Sequence, residues 1–300
     1  MIRYLTHNQI DTQRWDECIA ESSNGEVYAW SWYLDVVHPG WEALVEDDYQ
    51  YVMPLTGNRK YFINYLFQPF FTQKFGVYGK NEVSEGKIEE FLKAIPSKFK
   101  FADFRLKGVK GLKGFTGVNH KNIELALNQE YNVLAENYHS NTKRNLAKAK
   151  KENLVIDENA EPSVIIGLFR KNRGAEIKKW GDKEYERLLK LVEVAKEHEK
   201  CQVLGVKNTD NQTVTGAFFM MSHNRIVFLF SGADESNKEN HGLTFLIDYV
   251  IKNNSGTDKI FDFEGSDNDG LARFYKGFGG KETTYQGIKF NRILKINKPW

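Results

Sequence analysis

Between residues 182 and 199 the apolar side chains Tyr185, Leu188, Leu189 and Val192 fall on one face of a 3.6-residue repeat, which predicts an amphipathic helix. The same spacing predicts a helix over 11–20, with Asp11 as N-cap and Trp15 and Ile19 four apart. A short helix opened by Ser31 carries Trp32 and Val36. A helix over 84–94 buries Ile88, Phe91 and Leu92 and stops before Pro96. Tyr131, Leu134, Ala135 and Tyr138 begin a helical stretch that runs on through 140–151, with Ser140 as an N-cap. Glu161-Pro162 starts another helix. A helix over 242–253 presents Leu243, Leu246, Tyr249 and Val250, and a short one covers 268–277. Alternation with period two, or short apolar runs, predicts strands near 41–46 and 49–55 around an Asp47-Asp48 turn, and near 99–106 and 123–127. Further strands are predicted near 201–207, 213–221, 225–231, 259–263 and 284–294. Residues 61–80 are aromatic and turn-rich and follow neither period.

The order in the second half is two helices, a three-strand antiparallel meander, then strand, helix, strand. That is an α+β order with one parallel crossover, and the first half repeats it less clearly. At 300 residues one core is strained, so two domains are expected. The reading divides the chain at 1–130 and 131–300, with 131–152 as a connecting helix. Each domain is expected to be a mixed, mostly antiparallel sheet flanked by helices. Net charge is +2, which excludes a dedicated DNA binder and leaves anion affinity to local clusters. Cys18 and Cys201 form no CxxC pair and fit a reducing compartment. The charged first twenty residues are unlike a signal peptide, and no apolar run approaches a membrane span, so a cytoplasmic location is expected.

Three places carry candidate chemistry. Arg144, Lys148 and Lys151 fall at i, i+4 and i+7 with Lys143 and Lys150 flanking them, a stripe able to grip phosphates. The bland alternative is a solvated helix face. Asp262 and Glu264 alternate with Phe261 and Phe263, which would put both carboxylates on one strand face, where one could take a proton from an attacking amine. The alternative is a helix cap or an ion pair with Arg. Tyr275 and Lys276, at the end of the next helix, offer a phenol for a leaving group and an ammonium for a developing oxyanion, against core packing and solvent exposure. The seven histidines show no HExxH spacing, so no metal site is expected, and no GxSxG, P-loop or GxGxxG motif is present.

Three segments resemble one family. YHSNTKRNLAKAKK at 138–151, FDFEGSDNDGLARFYKGFGG at 261–280 and YLFQPFFTQKFGVYG at 65–79 are similar, in order and spacing, to the Fem-type branch of the acyl-N-acyltransferase (GNAT) superfamily. They cover about a quarter of the chain. The resemblance implies two tandem GNAT-like domains and a small-molecule or peptide acceptor in the cleft between them. It implies transfer of an acyl or aminoacyl group to an amine, in characterised members from aminoacyl-tRNA to a peptidoglycan precursor peptide. By the same analogy a backbone N–H at Ser231 or Gly232 would polarise the acyl carbonyl. No tightly bound cofactor is implied; the co-substrate is acyl-CoA or aminoacyl-tRNA. Two departures bear on the donor. The stretch where an acyl-CoA enzyme carries a glycine-rich pyrophosphate loop reads SNKENHGLTF at 236–245, with the single glycine Gly242. Tyr275 stands where many relatives have lysine, with Lys276 one place late. Members that use tRNA often insert a long helical hairpin, and 130–152 is too short for one. The alternatives are therefore an acyl-CoA-dependent N-acetyltransferase and, from another class, a catalytically silent GNAT-fold binding protein.

Overall fold

A computed structural model of the chain describes residues 1–109, 115–177, 179–234 and 241–293. It comprises two compact units, Met1–Lys121 together with the segment from Thr284, and Asn122–Thr283. The first unit opens with β1 (Ile2–Leu5), α1 (Thr12–Glu21), α2 (Ser31–Val37), β2 (Glu42–Glu46) and β3 (Tyr51–Leu55). It continues with β4 (Gly57–Lys60), β5 (Ile63–Phe67), β6 (Tyr78–Gly79), α3 (Glu85–Ala94) and β7 (Phe99–Leu106). The strand β8 (Thr116–Ala126) leads into the second unit. That unit holds α4 (Tyr131–Glu136), α5 (Ser140–Ala149), β9 (Val155–Asp157), α6 (Pro162–Lys171) and α7 (Asp182–Glu197). The meander β10 (Cys201–Lys207), β11 (Thr213–Ser222) and β12 (Arg225–Ala233) follows, then α8 (Gly242–Asn254), β13 (Ile260–Asp262) and α9 (Asp269–Lys276). The strand β14 (Lys281–Asn291) closes the described chain.

In the first unit β1, β2, β3 and β6 pair antiparallel in that order. Beside one another lie β4, β5, β7 and β14, where β5 and β7 run parallel with α3 as their crossover. The helix α1 starts where the sequence predicts, because the Asp11 carboxylate accepts the Arg14 N–H at 3.1 Å. Its buried face sets Trp15 edge-on against Trp41, with ring centroids 4.6 Å apart, and the Trp15 indole donates to Ala29 O at 2.7 Å. Ser84 caps α3 in the same way, accepting from the Lys87 N–H. The unassigned stretch 61–80 begins with a two-residue hairpin turn in which Tyr61 and Phe62 both take left-handed φ, 49° and 65°. Glycine or asparagine normally occupies such a turn, so its sequence carries no turn signal.

In the second unit β8, β13, β12, β11, β10 and β9 lie in that order. β12 and β13 are parallel, and the neighbouring pairs are antiparallel. The single parallel crossover read from the sequence is α8, which connects β12 to β13. The helices α6 and α7 cover one face. On the other face α4, α5, α8 and α9 pack against Leu204, Phe219, Phe228 and Phe261 around one apolar core. Within α8, Leu246, Ile247, Val250 and Ile251 are buried, while Leu243 and Tyr249, expected in the core, are half-buried. The connecting segment expected as helix over 131–152 is two helices, broken at residues 137–139 where Tyr138 turns into the core. The N-cap of α5 is His139, not Ser140, and its side chain caps nothing.

Beneath α8 the Asp248 carboxylate is buried, with the Tyr131 hydroxyl 2.9 and 3.0 Å from its two oxygens. Burial pushes this carboxyl up, and Tyr131, Tyr138, Lys150 and Lys252 offset part of the rise. A raised folded-state pKa contributes stability that is full below the unfolded value, about 3.9, and is lost as pH rises through the folded value. Asp248→Asn abolishes that loss and keeps an acceptor for Tyr131. Its melting temperature relative to wild type is expected to climb between pH 4 and pH 7. A pH-independent difference across that range would show that Asp248 does not titrate there.

Candidate functional site

The parallel strands β12 and β13 are paired only at Arg225–Ile260, Ile226–Phe261 and Val227–Asp262. β13 ends at Asp262, while β12 runs on to Ala233. Opposite β11 the register of β12 slips at Phe218/Phe219, so Leu229 is an extra residue, and a bulge of this kind bends a strand and re-aims its backbone. The two strands therefore part company beyond Val227 and Asp262.

At this opening the Asp234 N–H donates to Val214 O at 2.8 Å, and the Thr215 hydroxyl donates to Gly232 O at 3.0 Å. Strand alternation then turns the backbone groups of Gly232 toward β11 and those of Ser231 toward the open edge. Of the two residues expected to supply an N–H, Ser231 is the one so oriented. Gly232 serves α6 instead: a Cβ placed on it would lie 2.1 Å from Ile165 O.

The expectation that Asp262 and Glu264 share a strand face is corrected by the structure. The strand stops at Asp262, and Glu264 takes φ +51°, outside the extended region. Asp262 is buried and saturated: Arg225 donates to Oδ2 at 2.6 Å, while Asn122 at 2.8 Å and the Glu264 N–H at 3.1 Å donate to Oδ1. Arg225 also bonds Glu124 at 2.6 Å. Asp262 thus pins the turn that carries Glu264. Ser266, also buried, donates to Glu264 O at 2.9 Å and holds the same turn.

Tyr275 lies on the buried side of α9, stacked on Phe263 at 4.9 Å and edge-on to Phe228. Burial pushes its phenol up, the Glu264 carboxylate adds to the rise, and Arg173, in the turn after α6, opposes it. The charges of Glu264 and Arg173 thus both bear on the phenol, in opposite senses. The phenol is protonated at neutral pH, the form that can donate a proton. Lys276 points elsewhere, in a 2.6 Å ion pair with Glu282 at the surface. The sequence pairs Tyr275 with Lys276 by adjacency, but a helix separates neighbours by about 100°.

Lys143, Arg144, Lys148 and Lys151 are all exposed, on α5 or just beyond it. Lys143 donates to Glu136 O at 2.7 Å, and Arg144 bonds Asn141. On the far side of α9 from Tyr275, Gly270, Arg273, Phe274 and Gly277 face the first turn of α5 across an open cavity of about 720 Å³. No motif in the sequence marks this cavity. Residues 236–240 of the expected pyrophosphate-loop region lie outside the described residues; beyond them His241 takes a left-handed φ and Gly242 opens α8. Burial pushes the Cys18 thiol up to about 11 and that of Cys201 to about 12, far from the range of an activated nucleophile. Among the described residues no cluster of His, Cys, Asp and Glu could hold a metal ion, and no helix is long and apolar enough to cross a membrane.

The fold is GNAT-like and of the Fem type. The structure of FemX superposes with a TM-score of 0.65 at 11% identity, over 95% of this chain and 97% of that one. A conserved protein of unknown function from Bacteroides thetaiotaomicron gives 0.63 at 12% identity, over 96% and 99%. L-PGS from Bacillus licheniformis gives 0.56 at 8% identity, over 96% and 93%. At these identities the likeness is one of fold, a mixed α+β architecture as the sequence order predicts. No protein-family model matches the chain, and neither does any curated protein.

Proposed function

We propose that this chain is an N-acyltransferase that moves an acyl or aminoacyl group onto an amine, with its reacting centre where β12 and β13 diverge. What supports the reading is the Glu264 carboxylate bearing on the buried, protonated Tyr275, together with the outward-facing backbone of Ser231 on β12 beyond its pairing with β13. In this scheme Glu264 takes the proton from the attacking amine. The amine nitrogen forms a bond to the acyl carbon, and the Ser231 N–H supports the oxyanion. As the tetrahedral intermediate collapses, the bond to the leaving oxygen or sulfur breaks and the Tyr275 hydroxyl protonates it. Asp262 acts through Glu264 as a positioning residue. The stripe Arg144, Lys148 and Lys151 would hold phosphates of the donor, aminoacyl-tRNA or acyl-CoA. An amine on a cell-wall or sugar precursor is the acceptor class that the sequence resemblance implies.

The test is single-turnover transfer from radiolabelled aminoacyl-tRNA and acetyl-CoA to a panel of amine acceptors. With the productive pair, Tyr275→Phe and Glu264→Gln are each expected to lower the transfer rate by about 10²-fold or more while donor binding stays within a few-fold. Wild-type rates in both variants would remove these residues from the chemistry. Tight donor binding by wild type without turnover of any acceptor would favour a silent binding protein.

A further inference from the structure

We propose that the cavity between α5 and α9 is a phosphate-binding site, separate from the Tyr275 centre. Three α9 residues and its C-cap border it, Gly270, Arg273, Phe274 and Gly277, at i, i+3, i+4 and i+7. That stripe lies about 150° around the helix from Tyr275, so one ligand group cannot occupy both faces. The opposite wall is the first turn of α5. Its N-cap, His139, contributes no side-chain cap, and its own N–H is spent on Gly277 O at 2.8 Å. The N–H groups of Ser140, Asn141 and Thr142 are the orphan donors of a helix start, and the helix dipole adds positive potential there.

A second observation points to a ligand independently of the helix end. Thr142 is 5% exposed, lines the cavity, and its hydroxyl makes no hydrogen bond within the described residues. Its oxygen is not sealed in protein, so it is available to whatever occupies the cavity. Arg273 borders the same space and forms no ion pair among the described residues. Backbone N–H groups, a hydroxyl and a guanidinium converge on a space that no acidic side chain borders. A phosphate offers enough acceptor oxygens for that donor set, whereas a carboxylate offers two. The binding stands whether or not Tyr275 performs chemistry.

Isothermal titration with inorganic phosphate and with pyrophosphate, at constant ionic strength in chloride, tests this on the intact chain. Acetate is the control anion. Wild type is expected to bind phosphate at least tenfold more tightly than acetate. Arg273→Ala should weaken phosphate binding about tenfold, and Thr142→Val several-fold, with Thr142→Ser restoring it. Ser140→Pro removes one N–H at the N1 position, where proline suits a helix, and His139 already has the extended backbone (φ −62°, ψ 150°) that a following proline requires. It should weaken binding about threefold with the melting temperature held or raised, which separates ligand loss from unfolding. Phosphate binding that survives Arg273→Ala and Ser140→Pro but is lost in Arg144→Ala/Lys148→Ala would place the anion on the exposed stripe and overturn the proposal. So would acetate binding as tightly as phosphate, or no phosphate binding by wild type.

Discussion

Gly232→Ala is expected to destabilise the second unit by about 3 kcal/mol or more, the upper end for forcing atoms into a packed interior. The added methyl would lie 2.1 Å from Ile165 O and 2.9 Å from Phe169 N. Both are backbone atoms of α6, so no rotamer change can relieve the clash, and the whole helix must lift off the sheet. For a unit of this size the melting temperature should fall by roughly 6–12 °C. Two neighbouring glycines provide the scale. Gly216, the register partner of Gly232, meets the flexible Ile165 side chain at 2.5 Å and Leu204 O at 2.9 Å. Gly216→Ala should therefore cost less, about 1–3 kcal/mol. Gly167, within α6 itself, has nothing within 4 Å of a new Cβ, so Gly167→Ala should stabilise by up to about 1 kcal/mol through helix propensity. Thermal melts of the three variants give the ranking directly. A Gly232→Ala melting point within a degree or two of wild type would show that α6 does not sit on these two strands as described.

The contrast among these glycines also shows what the sequence could and could not convey. Helices and strands with strong periodicity are legible because burial is local in pattern: α7, the meander β10–β12 and the Asp11 cap follow from residues a few positions apart. Long-range demands leave no such mark. Nothing near Gly232 in the sequence distinguishes close approach to α6 from close approach to a ligand. The alternation Phe261-Asp262-Phe263-Glu264 predicts a strand through Glu264, but a left-handed residue ends it, because Asp262 is drawn inward by partners 37 and 140 residues away. The break at Tyr138 is hidden for a related reason: Tyr138 continues the helical spacing of Leu134, yet it packs against Phe278, just beyond α9. The turn at Tyr61-Phe62 defeats turn rules outright, since two aromatics that are 82% and 88% exposed hold left-handed positions usually left to glycine. At the candidate site itself, the facing of Ser231 against Gly232, and the separation of Tyr275 from Lys276, depend on geometry that no local pattern marks.

Arg225→Ala is expected to cost about 3–5 kcal/mol at neutral pH, the range for removing one partner from a buried ion pair. Asp262 is 1% exposed and Glu124 is adjacent, so without the guanidinium two carboxylates are left close together, one of them out of water. The sign of the pH effect follows from which charge is stranded. In the variant the Asp262 pKa must rise, because burial and the like charge both disfavour ionisation. A raised carboxyl destabilises the native state once ionised, so the deficit relative to wild type should shrink on acidification from pH 7 toward pH 4. Replacing the group as a set is a different matter. Arg225→Met combined with Asp262→Asn and Glu124→Gln removes all three charges, and much of the lost stability should return, since a buried ion pair contributes little beyond what its removal in halves destroys. The triple variant should nonetheless transfer acyl groups poorly if Glu264 acts as proposed, because the Asp262 oxygen that accepts the Glu264 N–H is weakened when it becomes an amide. Chemical denaturation at pH 4 and pH 7 measures the first effect and single-turnover transfer the second. A pH-independent deficit in Arg225→Ala would mean that Asp262 is neutralised by something other than Arg225. Full transfer by a stable triple variant would show that the Glu264 turn holds its place without the charged cluster.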